Sequence, residues 1–293
     1  MSPKPVSLKA PFNNKILVIV GPTASGKTAL AIEVAKQLNG EIICADSRTI
    51  YKGMDIGTAK PSAEEQKQVV HHCLDIITPD QKFTVVEFKK NATQILEDVR
   101  KRGEVPILVG GSGLYIDSVV YDYTFPASSL GDPLGQLSLS ELQGIAKKHN
   151  YDVPDQVYMN KRHLIGLIKR DGVSGDKNIR NDVLIIGLDP GRDVVVDRIN
   201  KRIKKMMNEG FIDEVKGLLK IYKTDSPGLN APGYKPIMAY IQGDVTLEEA
   251  EMQFIKNDKD LAKRQMTWFK RNKKIKWFSD SVVAKSYIIE QWS

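Results

Sequence analysis

The stretch Lys15-Ile-Leu-Val-Ile-Val-Gly-Pro-Thr-Ala-Ser-Gly-Lys-Thr28 decides how the chain is read. Its first part is an aliphatic, β-branched run without polar alternation, the pattern of a strand buried on both faces of a parallel sheet. Gly21 and Pro22 break that run, and from Lys27 to Leu38 apolar residues recur at helical spacing. Between strand and helix, Gly21, Pro22, Thr23, Ala24, Ser25, Gly26, Lys27 and Thr28 fill every position of G-x-x-x-x-G-K-[ST]. The glycines let the backbone turn so that successive N–H groups face inward, and the following helix adds the positive end of its dipole. Lys27 supplies a mobile cation, and the Thr28 hydroxyl can hold Mg²⁺. Such a cradle takes a diphosphate or triphosphate, as in ATP-binding proteins. It does not say which, because kinases, ATPases and several transferases share it.

Outward from this stretch, Glu41-Ile-Ile-Cys-Ala45, Pro106-Ile-Leu-Val109 and Val183-Leu-Ile-Ile-Gly-Leu188 read as further strands. Strands alternating with helices predict an α/β fold: a P-loop NTPase-like parallel sheet flanked by helices, with right-handed crossovers. The strand pattern lapses between 125 and 182, where Lys161, Arg162, His163, Lys169 and Arg170 cluster. The reading is therefore a first core part over 1–124, a small helical insertion over 125–182, and core completion with basic C-terminal helices over 183–293. One helix is expected from about Asp193 to about Gly210, a natural C-terminal cap. Another opens at the capping-box pattern Thr246-Leu-Glu-Glu249 and runs toward Asn272.

Composition bounds the function without choosing it. The 293 residues suit one large domain or a core with an insertion. Residues 1–14 are polar and Pro-dotted, unlike a secretory signal, and no run of eighteen or so apolar residues suits a membrane span. A cytoplasmic protein without membrane contact is expected, and a monomer. Cys44 and Cys73 read as reduced core thiols, too few for a four-cysteine zinc site. A net charge of +7, from 43 Lys and Arg against 36 Asp and Glu, is compatible with an RNA partner.

Asp46 follows the second strand directly, at the carboxyl edge where parallel-sheet sites form. Position alone leaves two roles open, a proton acceptor or a Mg²⁺ ligand after an apolar strand. His71 and His72 are adjacent, so their side chains diverge, and they read as structural. Lys256, Lys259, Lys263, Lys270 and Lys274 are spaced for one helical face, which suits a nucleic-acid backbone. Trp268, Phe269, Trp277 and Phe278 read as core anchors.

The residues from Ala45-Asp-Ser47 through Tyr51-Lys-Gly-Met-Asp-Ile-Gly-Thr-Ala-Lys-Pro61 follow the phosphate cradle. After them come His71-His-Cys-Leu-Asp-Ile76, Pro106-Ile-Leu-Val-Gly-Gly-Ser-Gly-Leu-Tyr115, Gly233-Tyr-Lys235 and Leu261-Ala-Lys-Arg-Gln-Met-Thr-Trp-Phe269. In that order these motifs resemble the tRNA dimethylallyltransferase family of bacterial type. The likeness is strong over 15–121 and moderate over 183–278. It implies transfer of a dimethylallyl group from dimethylallyl diphosphate to N6 of the adenine on the 3′ side of the anticodon, with diphosphate released.

The resemblance also implies site residues. Asp46 is the base, and Thr23, Lys27 and Arg264 serve catalysis at the diphosphate, with Mg²⁺ at Thr28. Contacts to the tRNA anticodon stem-loop are implied for Asp46, Ser47, Arg48, Thr49, Ser112, Arg162, Gly233, Tyr234, Lys235, Lys259, Lys263, Arg264 and Gln265. An adenine reaching an enclosed carboxylate must leave its stack. The chain departs from the family at Ser112, usually Thr, and at Gly166, where an Arg is usual, and 125–182 looks shortened. Competing readings are a prenyltransferase acting on AMP, ADP or ATP, a P-loop small-molecule kinase, and a non-enzymatic RNA-binding protein. No separate Arg-rich lid supports the kinase.

Overall fold

The computed structural model describes residues 15–121, 133–151, 153, 155–169 and 179–292. By their contacts the residues form two compact units, Met1–Val120 with Arg180–Ser293, and Tyr121–Ile179.

The larger unit is built on the predicted strand–cradle–helix. β1 (Ile16–Val20) is wholly buried, and α1 (Lys27–Leu38) starts at Gly26 and ends on Asn39, both left-handed. β2 (Gly40–Cys44), the short α2 (Ala63–Gln68) and the two-residue β3 (His71–His72) follow. Next come α3 (Val85–Lys101), β4 (Val105–Gly110) and α4 (Gly113–Val120). Ser62 and Thr84 open α2 and α3 with capping boxes, each side chain exchanging hydrogen bonds with a Glu three residues on.

The smaller unit contains α5 (Pro133–Gln136), α6 (Leu139–Lys148), α7 (Asp155–Tyr158) and α8 (Lys161–Ile168). It has a core of its own from Leu142, Ala146, Leu164 and Leu167. Arg162 is an exposed residue of α8. The expected start of the insertion at 125, and Arg170, lie outside the described residues.

The larger unit resumes with β5 (Val183–Leu188), α9 (Arg192–Asn208), α10 (Phe211–Leu219) and α11 (Tyr234–Gln242). It closes with α12 (Leu247–Phe269), β6 (Lys276–Phe278) and α13 (Ser281–Trp292). Thr246 and Glu249 form the capping box expected at the start of α12.

All six strands pair in parallel in the order β3-β2-β4-β1-β5-β6. The sheet between flanking helices is the predicted class. β3 and β6 were not expected, because two or three residues carry no periodicity of their own. Among the described residues of this unit, one large apolar cluster is built on the sheet and another on its helices. One joins α1 and α13 to the strands, with Trp292 fully buried; the other joins α9 to α12 and the segment around Ile50 and Met54. No helix among the described residues is long and apolar enough to cross a membrane.

Candidate functional site

The cradle has the shape its residue types demand. A Cβ on Gly21 would stand 2.6 Å from the Leu188 carbonyl oxygen and 2.8 Å from Ser25 Oγ, so only glycine lets the loop lie this close to β5. Gly26 has φ 95, a conformation open to glycine but strained for a side chain. Arg198 of α9 braces the loop from outside, its Nη1 donating to the Ser25 carbonyl at 2.9 Å. Lys27 Nζ donates to the Pro22 carbonyl at 3.1 Å. Burial pushes its ammonium down to about 8, while Asp46 pulls it back up and Arg202 pushes it further down. Ser25 Oγ is buried and, among the described residues, unpartnered.

The ends of β2 and β4 converge beside the cradle. A Cβ on Gly110 would lie 2.0 Å from the Ala45 carbonyl oxygen, so a glycine is needed for the strands to meet here. This contact sets Ser112 against the loop after β2, where its Oγ accepts from Ser47 N at 3.0 Å. Asp46 Oδ1 accepts from Arg48 N at 2.8 Å, which fixes the carboxylate in a local turn. Gln265 of α12 completes the rim, its Oε1 accepting from Thr23 N at 2.8 Å.

These groups face two cavities of about 360 and 310 Å³. Six residues line both: Thr23, Lys27, Asp46, Thr58, Ala59 and Arg202. The larger cavity also takes in Ser47, Arg48, Ser112, Lys235, Arg264 and Gln265, all expected from the sequence. The smaller takes in Thr28 with apolar Ile42, Cys44 and Val109. Thr28 and Asp46 both line this cavity, and a hydroxyl with a carboxylate is the donor type that suits Mg²⁺ completed by phosphate oxygens and water. Among the described residues no three or more His, Cys, Asp or Glu side chains form a metal cluster.

Other expected contacts have different surroundings. Thr49 is buried and lines the smaller cavity, with its hydroxyl unpartnered among the described residues. Gly233 packs against the Phe254 ring, where a Cβ would come within 2.4 Å. Tyr234 is fully buried and its hydroxyl donates to Glu214 at 2.6 Å. Neither Gly233 nor Tyr234 therefore presents a surface to RNA as expected; of that motif Lys235 alone is exposed. The basic face is also shorter than its spacing predicts. α12 ends at Phe269, Lys270 is its cap residue and lies 3.8 Å from Asp189, and Lys274 falls beyond the helix. Lys259 is half-buried and Lys263 exposed, both outside the cavities. Phe269 is a buried core anchor. Trp268 is not: its exposed ring packs over Gly113, and Nε1 donates to Asp117 at 2.9 Å.

His72 Nε2 pairs with Glu41; His71 Nδ1 pairs with the Val69 carbonyl, while its Nε2 is buried without a partner among the described residues and the residue lines the smaller cavity. Both cysteines are buried free thiols.

Sequence reasoning missed two groups. Arg202 pairs with the buried Asp258 of α12 at 2.6 Å and lines both cavities. Burial pushes the Asp258 carboxyl up, against the pull of Arg202. Arg198 and Arg202 stand four apart on α9, which puts both on the helix face toward the cradle. The second group is Glu214 with the loop at 55–57, which no motif links to it.

The fold and site define a parallel-sheet P-loop protein whose cradle opens beside a carboxylate, with Arg48, Arg202, Lys235 and Arg264 in the wall of the larger cavity. A family model for IPP transferase matches residues 49–272. A tRNA dimethylallyltransferase of Macrococcus caseolyticus is 38% identical over 95% of each chain. Another, of Carboxydothermus hydrogenoformans, is 39% identical over 96% of each. The crystal structure of a tRNA isopentenylpyrophosphate transferase of Bacillus halodurans superposes with a TM-score of 0.75 at 34% identity, covering 95% of this chain and 97% of that one. The chain belongs to the IPP transferase family.

Proposed function

We propose that this protein transfers a dimethylallyl group from dimethylallyl diphosphate to N6 of the adenine on the 3′ side of the anticodon in tRNA. The observation that carries this reading is the junction of the two cavities, where Lys27 and Asp46 both line the shared wall. One cavity holds the donor's diphosphate at the cradle, and the other admits the flipped base past Ser47, Ser112 and Arg264.

In the reaction the allylic C–O bond breaks and its electron pair leaves with the diphosphate. The N6 lone pair forms the new C–N bond, and the N6 proton passes to an Asp46 carboxylate oxygen. Lys27, the cradle amides and Arg202 stabilise the charge that develops on the leaving oxygens. The Thr28 hydroxyl would hold Mg²⁺, whose charge offsets that of the diphosphate. Lys259, Lys263 and Arg162 add charge contacts to the tRNA backbone.

The test offers labelled dimethylallyl diphosphate with Mg²⁺ to tRNA, AMP, ADP and ATP in parallel. Label is expected in tRNA alone. Label in a free adenylate would replace the acceptor in this reading, and phosphate transfer from ATP would replace the reaction.

A further inference from the structure

The loop at residues 54–60 supplies Gly57, Thr58 and Ala59 to the cavity wall, and Thr58 and Ala59 lie at the junction of both cavities. Its conformation is held from outside by one carboxylate. Glu214 of α10 accepts from three consecutive backbone amides: Asp55 at 2.9 Å, Ile56 at 2.7 Å and Gly57 at 3.1 Å. The same carboxylate accepts from the Tyr234 hydroxyl at 2.6 Å, which fixes its own direction. A Cβ on Gly57 would lie 2.1 Å from Phe211 and 2.7 Å from Tyr234, so the loop lies flat on the α10–α11 core. At its far end the Lys60 side chain is almost fully buried, held by Asp55, by Asp75 at 2.6 Å and by the Tyr51 carbonyl at 2.9 Å.

We propose that Glu214 is a positioning residue for the transfer step, holding the 55–57 amides so that Thr58 and Ala59 stay in place between donor and acceptor. The proposal rests on the prenyl-transfer reading above and names a group through which that site is kept in register. Glu214 touches neither cavity, so it acts through the loop. Four hydrogen bonds converging on a single carboxylate are enough to set a short loop, because charge-assisted bonds are roughly twice as strong as neutral ones. A wall displaced by about 1 Å can cost on the order of a hundredfold in rate while leaving binding groups intact.

The experiment compares wild type, Glu214→Ala and Glu214→Gln, each checked for an intact fold by thermal unfolding. Three quantities are read: kcat for tRNA prenylation at saturating substrates, affinity for inorganic diphosphate by calorimetry, and hydrogen exchange of the peptide spanning 54–60. Glu214→Ala is expected to lower kcat about a hundredfold, to leave diphosphate affinity within about threefold, and to speed exchange in that peptide. Glu214→Gln keeps an acceptor oxygen and should recover part of both the rate and the protection. Unchanged exchange in Glu214→Ala overturns the proposal, whatever the activity. So does a kcat within about threefold of wild type, or a loss of diphosphate binding as large as the loss of rate. Absence of transfer by the wild type, with protection in place, counts against the prenyl-transfer reading itself. In that case the exchange difference still decides whether Glu214 holds the loop.

Discussion

Two loops flank the reaction cavity, each with a lysine, and they put that lysine to opposite uses. In the cradle, Lys27 donates to the Pro22 carbonyl, and burial has pushed its ammonium down to about 8. In the loop at 54–60, Lys60 is held between Asp55 and Asp75 with its ammonium almost fully buried. The cradle keeps a cation and the Ser25 hydroxyl in reserve for a ligand. The other loop gives its cation to two carboxylates and three of its amides to a third. Both lysines sit in motifs shared with the family, so motif membership alone does not separate a ligand-binding group from a brace. The neighbouring carboxylates do.

The largest effect is expected at neither lysine but at Asp46, which shares the cavity wall with Lys27. Asp46→Asn keeps the shape and removes the proton acceptor, so kcat should fall about a thousandfold with diphosphate affinity unchanged. A collapse of Mg²⁺ affinity in this variant, read by calorimetry, would instead make Asp46 a metal ligand.

The two lysines come next and test the comparison itself. Lys27→Ala should weaken dimethylallyl diphosphate binding by roughly tenfold to a hundredfold, the range of a hydrogen bond to a charged group, without lowering the melting temperature. Lys60→Ala leaves Asp55 and Asp75 facing each other, so it should lower the melting temperature by several degrees and leave donor affinity nearly unchanged. Equal effects on affinity from both variants would break the contrast.

A smaller effect follows from pH. The protonated form of Lys27 attracts the diphosphate, and its lowered value means that this charge is lost as pH rises through about 8. Donor affinity should therefore fall between pH 7 and 9 in the wild type, and fall less in Lys27→Met, which lacks the titrating group; the difference between the two removes the ligand's own titration. Stability moves the other way. Between about 8 and the unperturbed 10.5 the unfolded chain holds a proton that the native Lys27 has released, so this group's cost to folding lessens as pH rises.

The smallest effect is expected on α12. Replacing Lys259 and Lys263 by Ala should raise the tRNA dissociation constant and reduce its log–log salt slope by roughly one per contact removed. Lys270 is left out because its ammonium faces Asp189. Filter binding from low to moderate salt reads both quantities, and an unchanged slope would make this face merely solvated.

How much of this was legible in the sequence depended on where each residue's reason lay. β1, β2, β4 and β5 each hold a run of three or more apolar residues bounded by breakers, so their signal is local. β3 and β6 exist only because a neighbouring strand pairs them, and nothing within His71–His72 or Lys276–Phe278 announces it. The cradle was readable from its glycines, Asp46 from its place directly after an apolar strand, and Ser112 from the family resemblance. Arg202, Asp258 and Glu214 were not, because on a helix a charged residue looks the same whether it faces water or a cavity. Tyr234 belongs to a recognisable motif yet is spent on Glu214, a partner twenty residues earlier. The C-terminal lysines failed for a simpler reason: their spacing assumes a helix that stops at Phe269.

The central claim is that Asp46 and Lys27 bound one reaction space, shared by a prenyl donor and a tRNA adenine. Nucleoside mass spectrometry of tRNA tests it most directly, after incubation with dimethylallyl diphosphate and Mg²⁺ and either wild type or Asp46→Asn. A dimethylallyl adenosine beside the anticodon is expected with the wild type, and its near absence with Asp46→Asn despite retained diphosphate binding. An unmodified adenosine with the wild type, or equal modification by both proteins, would contradict it.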